Sequence, residues 1–182
     1  MKKPEKMILE KDNPILRRKS VEVPISEISS AKIQGILKEM AESLSTQPDG
    51  VAIAAPQLGY PLRIFIVSKK VLNEAQENGN RALHSNIVFI NPRILKLSKE
   101  TQLMEEGCLS VRWLYGKVRR ACRATVVGYN EKGEKITRGA SALLAQIFQH
   151  EVDHLEGILF IDKAKDLREI LPNYGKIGEK LI

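Results

Sequence analysis

Two of the chain's three histidines and a glutamate fall within one helical turn, in Gln149-His150-Glu151-Val152-Asp153-His154. Residues four apart on a helix stack on one face, so His150 and His154 can bind one metal ion, with Glu151 beside them to carry a proton. That is metal-assisted hydrolysis in outline. A hydrolytic site of this kind takes three protein ligands and keeps one position open. No histidine follows His154, and the acids beyond it lie in a basic segment, so Cys108 in Glu106-Gly107-Cys108-Leu109-Ser110 is the better third ligand. A thiolate is a soft anionic ligand that suits zinc or iron(II). Three other readings compete. The histidines could be satisfied core residues beside an ion-paired glutamate. The chain could be a zinc endoprotease, which would place its third ligand downstream. It could also be a basic RNA-associated module with a structural metal, which calls for a closed four-ligand site and has no use for a base.

The elements around these residues are readable from periodicity. Residues 140–155 contain no Pro or Gly and predict a helix. Leu143, Ile147, His150 and His154 form one line along it, and Leu144, Phe148, Glu151 and Leu155 a second, so both faces are expected to be buried. Ile33, Ile36, Leu37, Met40 and Leu44 make the stripe of an amphipathic helix capped by Ser29 or Ser30. The segment 50–59 is a run of small residues with one polar side chain, Gln57. A substrate backbone could lie along it and take a hydrogen bond from Gln57, and a tight core crossing with a buried glutamine would read the same. Strands are expected over 62–67 and 87–90, the latter closed by Asn91-Pro92. Another should end at 106–110, and a further one should span 119–129 with Cys122 as a buried thiol. Asn130-Glu131-Lys132-Gly133 supplies a hairpin turn, and the polar linker at 73–80 leads to an exposed His84.

The 182 residues, 43% hydrophobic and 28% charged, fit one folded domain over 1–182. No apolar run approaches the roughly 20 residues that span a membrane, and no signal core follows Met1, so a cytoplasmic location with reduced cysteines is expected. The net charge of +7 suits a polyanion such as RNA and equally serves solubility. From about residue 163 a basic tail carries Lys163, Lys165, Arg168, Lys176 and Lys180, to dock on the body or reach a partner.

Taken together, three stretches resemble the three motifs of the peptide deformylases in order and spacing. Gly50-Val51-Ala52-Ile53-Ala54-Ala55-Pro56-Gln57 is similar to Gly-x-Gly-x-Ala-Ala-x-Gln, with Ala52 at the second glycine, and 106–110 and 150–154 match without substitution. The resemblance runs from about Ile8 to Asp162. It implies an α+β fold, with antiparallel β-sheets around a central metal-binding α-helix, and removal of the N-formyl group from the initiator methionine of nascent polypeptides. By the same resemblance Cys108, His150 and His154 are metal ligands, Glu151 the general acid and base, and Gln57 with the Leu109 backbone N–H the oxyanion donors. Gly50, Val51, Ala52, Gly107, Trp113, Tyr115 and Ile147 are expected to line the substrate pocket. The implied cofactor is one divalent ion, Fe(II) in the cell, with Zn, Ni or Co satisfying the same ligands. The implied partners are N-formyl-methionyl peptides, with the ribosome a candidate through the basic tail, and neither a membrane nor a sequence-specific nucleic acid. Where the family often has Val-Pro-Gly, this chain reads Val111-Arg112-Trp113, which puts Trp113 and Tyr115 in a position to shape substrate access.

Overall fold

The Ser30 hydroxyl accepts the Ile33 N–H and opens helix α1 (Ala31–Ser45), whose stripe of Ile33, Ile36, Leu37, Met40 and Leu44 is buried. The computed structural model describes residues 7–71 and 85–171 and the backbone of 72–74 and 179–181. His84 and the linker residues 75–84 lie outside them. Nine strands follow among the described residues: β1 (Ala52–Ala54), β2 (Ile64–Val67), β3 (Ile87–Leu97), β4 (Thr101–Cys108), β5 (Val111–Ala121), β6 (Arg123–Tyr129), β7 (Lys135–Ser141), β8 (Lys165–Ile170) and β9 (Glu179–Leu181). A short helix α2 (Lys69–Glu74) follows β2, and helix α3 (Ala142–Leu155) follows β7. The strands pair antiparallel into one sheet of order β1-β2-β3-β6-β7 and another of order β4-β5-β8-β9. This is the expected α+β architecture.

Helix α3 is central to the molecule because nearly all of its surface is covered. Phe148 packs in a cluster with Phe65 and Phe89, with ring centroids 6.2 and 5.3 Å away. On another face the Gln149 side chain exchanges hydrogen bonds with both backbone groups of Ala121, each at 3.0 Å. A glutamine that replaces a ladder partner in this way satisfies a buried backbone and fixes the helix's rotation against β5. Leu143 departs from the expected buried line, being 47% exposed at the start of the helix.

Four boundaries differ from the sequence-based expectation. β3 does not stop at Asn91-Pro92 but continues to Leu97, because the missing Pro92 donor falls in a register shift between Ile90 and Arg93. Asn91 sits there at φ 52°, and its side chain exchanges hydrogen bonds of 2.8 and 2.7 Å with the backbone of Val23. The strand expected over 119–129 is two strands in different sheets, with Cys122 half-buried at the corner rather than inside a strand. Helix α3 begins at Ala142, not at 140, since Ala140 and Ser141 still pair with Ala124 and Arg123, and Ala142 turns the corner at φ 48°. Part of the basic tail is a strand: β8 pairs with β5 and with β9.

Candidate metal centre

Cys108 is the last residue of β4, and His150 and His154 lie one turn apart on α3, so an edge of one sheet faces the central helix. The three ligand atoms lie within 4.8 Å of one another, with Cys108 Sγ 3.2 Å from His154 Nε2. They form the single His/Cys/Asp/Glu cluster of metal-binding geometry among the described residues. A structural site would be expected to show a fourth ligand, and a zinc endoprotease a downstream third; neither is found there.

The orientation of His150 is set from behind. Its Nδ1–H donates to Glu106 Oε2 at 2.8 Å, which leaves Nε2 for the cluster. Glu106 in turn accepts two hydrogen bonds from Arg120, at 2.6 and 3.0 Å, and Arg120 reaches Asp153, which also pairs with Lys163 at 2.7 Å. Burial alone would raise the Glu106 pKa, yet hydrogen bonds from His150 and Arg120 hold it at about 2, so it is a carboxylate that only accepts. The Cys108 thiol is governed by the same competition. Burial disfavours its anion, and the charge of His154 with hydrogen bonds from both histidines brings it down to about 5. Glu151 goes the other way: burial pushes it up to about 6, against the opposing charges of His150 and His154.

Two polar atoms here are buried without a partner, Glu151 Oε2 and His154 Nδ1. Leaving a carboxylate oxygen unsatisfied is costly unless something polar binds there. An acid, two imidazoles and a thiol converging on one point fit a divalent ion and its water. Gln57 completes the wall. Its Oε1 accepts the Ala54 N–H at 2.8 Å, and its Nε2 donates to Ser110 Oγ at 3.1 Å and lies 3.6 Å from Cys108 Sγ, so its amide N–H₂ faces the ligand side.

A cavity of about 250 Å³ opens onto this cluster, lined by Val51, Ala52, Gln57, Gly107, Leu109, Trp113, Tyr115, Ile147 and Glu151 among others. Gly50 is the exception among the anticipated pocket residues. It lies outside the lining and is buried against α1, where a Cβ would meet Gln47 Cβ at 2.9 Å and Leu44 Cδ1 at 3.0 Å. Ala52 is an ordinary β1 residue paired with Val67 and has no positive φ, so the methyl in place of glycine narrows the cavity without straining the chain. Gly107 has a steric role: the Tyr115 ring lies on it, and a Cβ would come within 2.8 Å of that ring. Sequence reasoning missed Arg120, took Glu106 and Asp153 only as motif letters, and noted Arg112 beside Trp113 without its partners Asp49 and Gln47. A buried acid two residues from a ligand was the one available sign, since the partners arrive from distant strands.

The polypeptide deformylase family model matches residues 5–169. A peptide deformylase of Syntrophomonas wolfei is 41% identical over 156 residues, covering 86% of this chain and 91% of that protein. The chloroplastic peptide deformylase 1A of Solanum lycopersicum is 36% identical over 162 residues, and the match spans 58% of its length. Among solved structures, a class I type b peptide deformylase from Acinetobacter baumannii bound to Met-Ala-Ser superposes with a TM-score of 0.74 at 32% identity, covering 86% of this chain and 96% of that one.

Proposed function

The chain belongs to the peptide deformylase family, and from that premise we propose that it hydrolyses the formamide of N-formyl-methionyl peptides, releasing formate and a free amino terminus. The observation that carries this reading is the convergence of three ligand atoms beside a buried glutamate with an unpartnered oxygen. Cys108, His150 and His154 would hold the divalent ion, which when bound acidifies a water and polarises the formyl carbonyl. Glu151 accepts the water's proton and delivers it to the departing amine. The Gln57 amide, held by Ala54 and Ser110, and the Leu109 N–H donate to the oxyanion that develops on the formyl oxygen. Ile147 and Ala52 make the cavity wall apolar where the methionine side chain enters. The Met-Ala-Ser tripeptide bound to the Acinetobacter baumannii relative has the chemistry of a deformylated product and supports a peptide substrate.

Fe(II) is the proposed ion in the cell, and an iron-loaded enzyme should lose activity in air faster than a nickel-loaded one, because an open thiolate-ligated Fe(II) site admits oxygen. Equal aerobic half-lives would contradict that assignment. The proposed setting is the cytoplasm; among the described residues no helix is long and apolar enough to cross a membrane. The basic segment from about 163 is proposed to meet ribosomal RNA, which predicts co-sedimentation with ribosomes that weakens with salt. Formate release from formyl-methionyl peptides, with no cleavage of internal peptide bonds, is the test of the reaction.

A further inference from the structure

Trp113 holds a backbone conformation that is unfavourable for a bulky side chain, with φ at 67°. Such strain persists where the surroundings impose it, and it concentrates at ligand clamps. Arg112 supplies the restraint. Its Nη1 donates to Asp49 Oδ2 at 2.8 Å, its Nη2 donates to Gln47 Oε1 at 2.5 Å, and its guanidinium carbon lies 5.8 Å from the centre of the Trp113 ring. The start of β5 is thereby tied to the loop that follows α1, across the cavity mouth. Trp113 is left 37% exposed and lines the same cavity as Cys108, His150 and Glu151.

The charges at the mouth are neutralised in pairs, Asp49 by Arg112 and Glu105 by Arg168. The surface left for contact is apolar: Trp113, with Val51 at 41% and Leu143 at 47% exposure. A formyl group that reaches Glu151 puts its methionine inside the cavity and sends the following residues past this rim. We infer that Trp113, held in place by the Arg112 clamp, determines specificity by packing against an aromatic or large apolar side chain at one of the two residues after methionine. This rests on the deformylase reading of the site. An aromatic contact of that kind is worth about three- to tenfold in kcat/KM.

The experiment compares formyl-Met-Phe-Ala and formyl-Met-Ala-Phe with formyl-Met-Ala-Ala and formyl-Met-Asp-Ala, for the wild type and for Trp113→Gly. Glycine accepts the positive φ, so the variant should fold. Because Trp113 is the one tryptophan of the chain, its fluorescence reports the contact directly when the product peptides Met-Phe-Ala, Met-Ala-Phe and Met-Ala-Ala are titrated into the metal-loaded enzyme. The expected result is a three- to tenfold preference for at least one phenylalanine peptide, which falls towards one in Trp113→Gly. The matching phenylalanine product, and not Met-Ala-Ala, should change the wild-type emission. Formate release at equal efficiency from all four peptides would overturn the inference while leaving the deformylase reading intact. So would a preference that survives in Trp113→Gly with emission unmoved. Formate release from none of them would overturn that reading and the inference with it.

Discussion

At the scale of single residues, Gln57 shows how much the three-dimensional setting adds. In the sequence it is the one polar side chain in a small-residue run, compatible with a substrate contact or with a buried structural amide. In the structure its oxygen is committed to Ala54 and its nitrogen faces Ser110 and Cys108, so its orientation is fixed beside the ligands. Gln57→Leu should therefore lower kcat by about 100- to 1,000-fold, the usual loss for one oxyanion donor, with KM little changed and metal content normal. A folded, metal-loaded variant with native kcat would exclude that role. The pairing of His150 with His154 was legible because helix periodicity alone brings them together, and Cys108, at the end of β4, was legible only from its ligand chemistry. Glu106, Arg120 and Asp153 were not, because their ion pairs join β4, β5 and α3, and no local pattern encodes such a meeting.

At the scale of elements, the C-terminal end of α3 is locked by a turn that tolerates no side chain. Gly157 has φ 77°, and a Cβ there would sit 2.6 Å from the Arg17 carbonyl oxygen. Gly157→Ala combines a left-handed backbone with that clash and should cost roughly 2 kcal/mol or more, read from the denaturant midpoint; a loss too small to resolve would contradict the geometry. Just beyond, Asp162 accepts the Leu159 N–H at 2.9 Å and pairs with Arg17 at 2.5 Å. Burial opposes its ionisation, and the Arg17 and Leu159 hydrogen bonds outweigh that and lower its pKa. A lowered folded-state pKa means stability that is present above the unfolded value of about 3.9 and lost as pH falls through the folded one. The melting-temperature gap between wild type and Asp162→Asn should accordingly shrink between about pH 6 and pH 3. A gap that stayed constant would contradict the assignment. The helices were legible from their stripes, whereas the corners at Asn91, Cys122 and Ala142 were not. Each depends on which distant strand competes for the backbone.

At the scale of the molecule, the ligand set joins the second sheet to the central helix, since Cys108 ends β4 and both histidines stand on α3. An ion that binds only the folded chain stabilises it by mass action, about 3–4 kcal/mol at a hundred to a thousand times its Kd. Chelation should lower Tm, and returning the ion should restore it; a Tm indifferent to chelator would contradict a site assembled by folding. Periodicity located individual strands and helices, and the α+β class with antiparallel sheets came from the family resemblance. The place of Lys165–Ile170 was not legible, because a segment alternating Lys and Arg with apolar residues reads as a tail until β5 offers it an edge. The central claim is that Glu151 moves the proton in a metal-assisted deformylation. Its most direct test measures bound metal and formate release together in Glu151→Gln. Full metal with turnover reduced by at least about 100-fold is the predicted result, and full metal with a near-native rate would contradict the account.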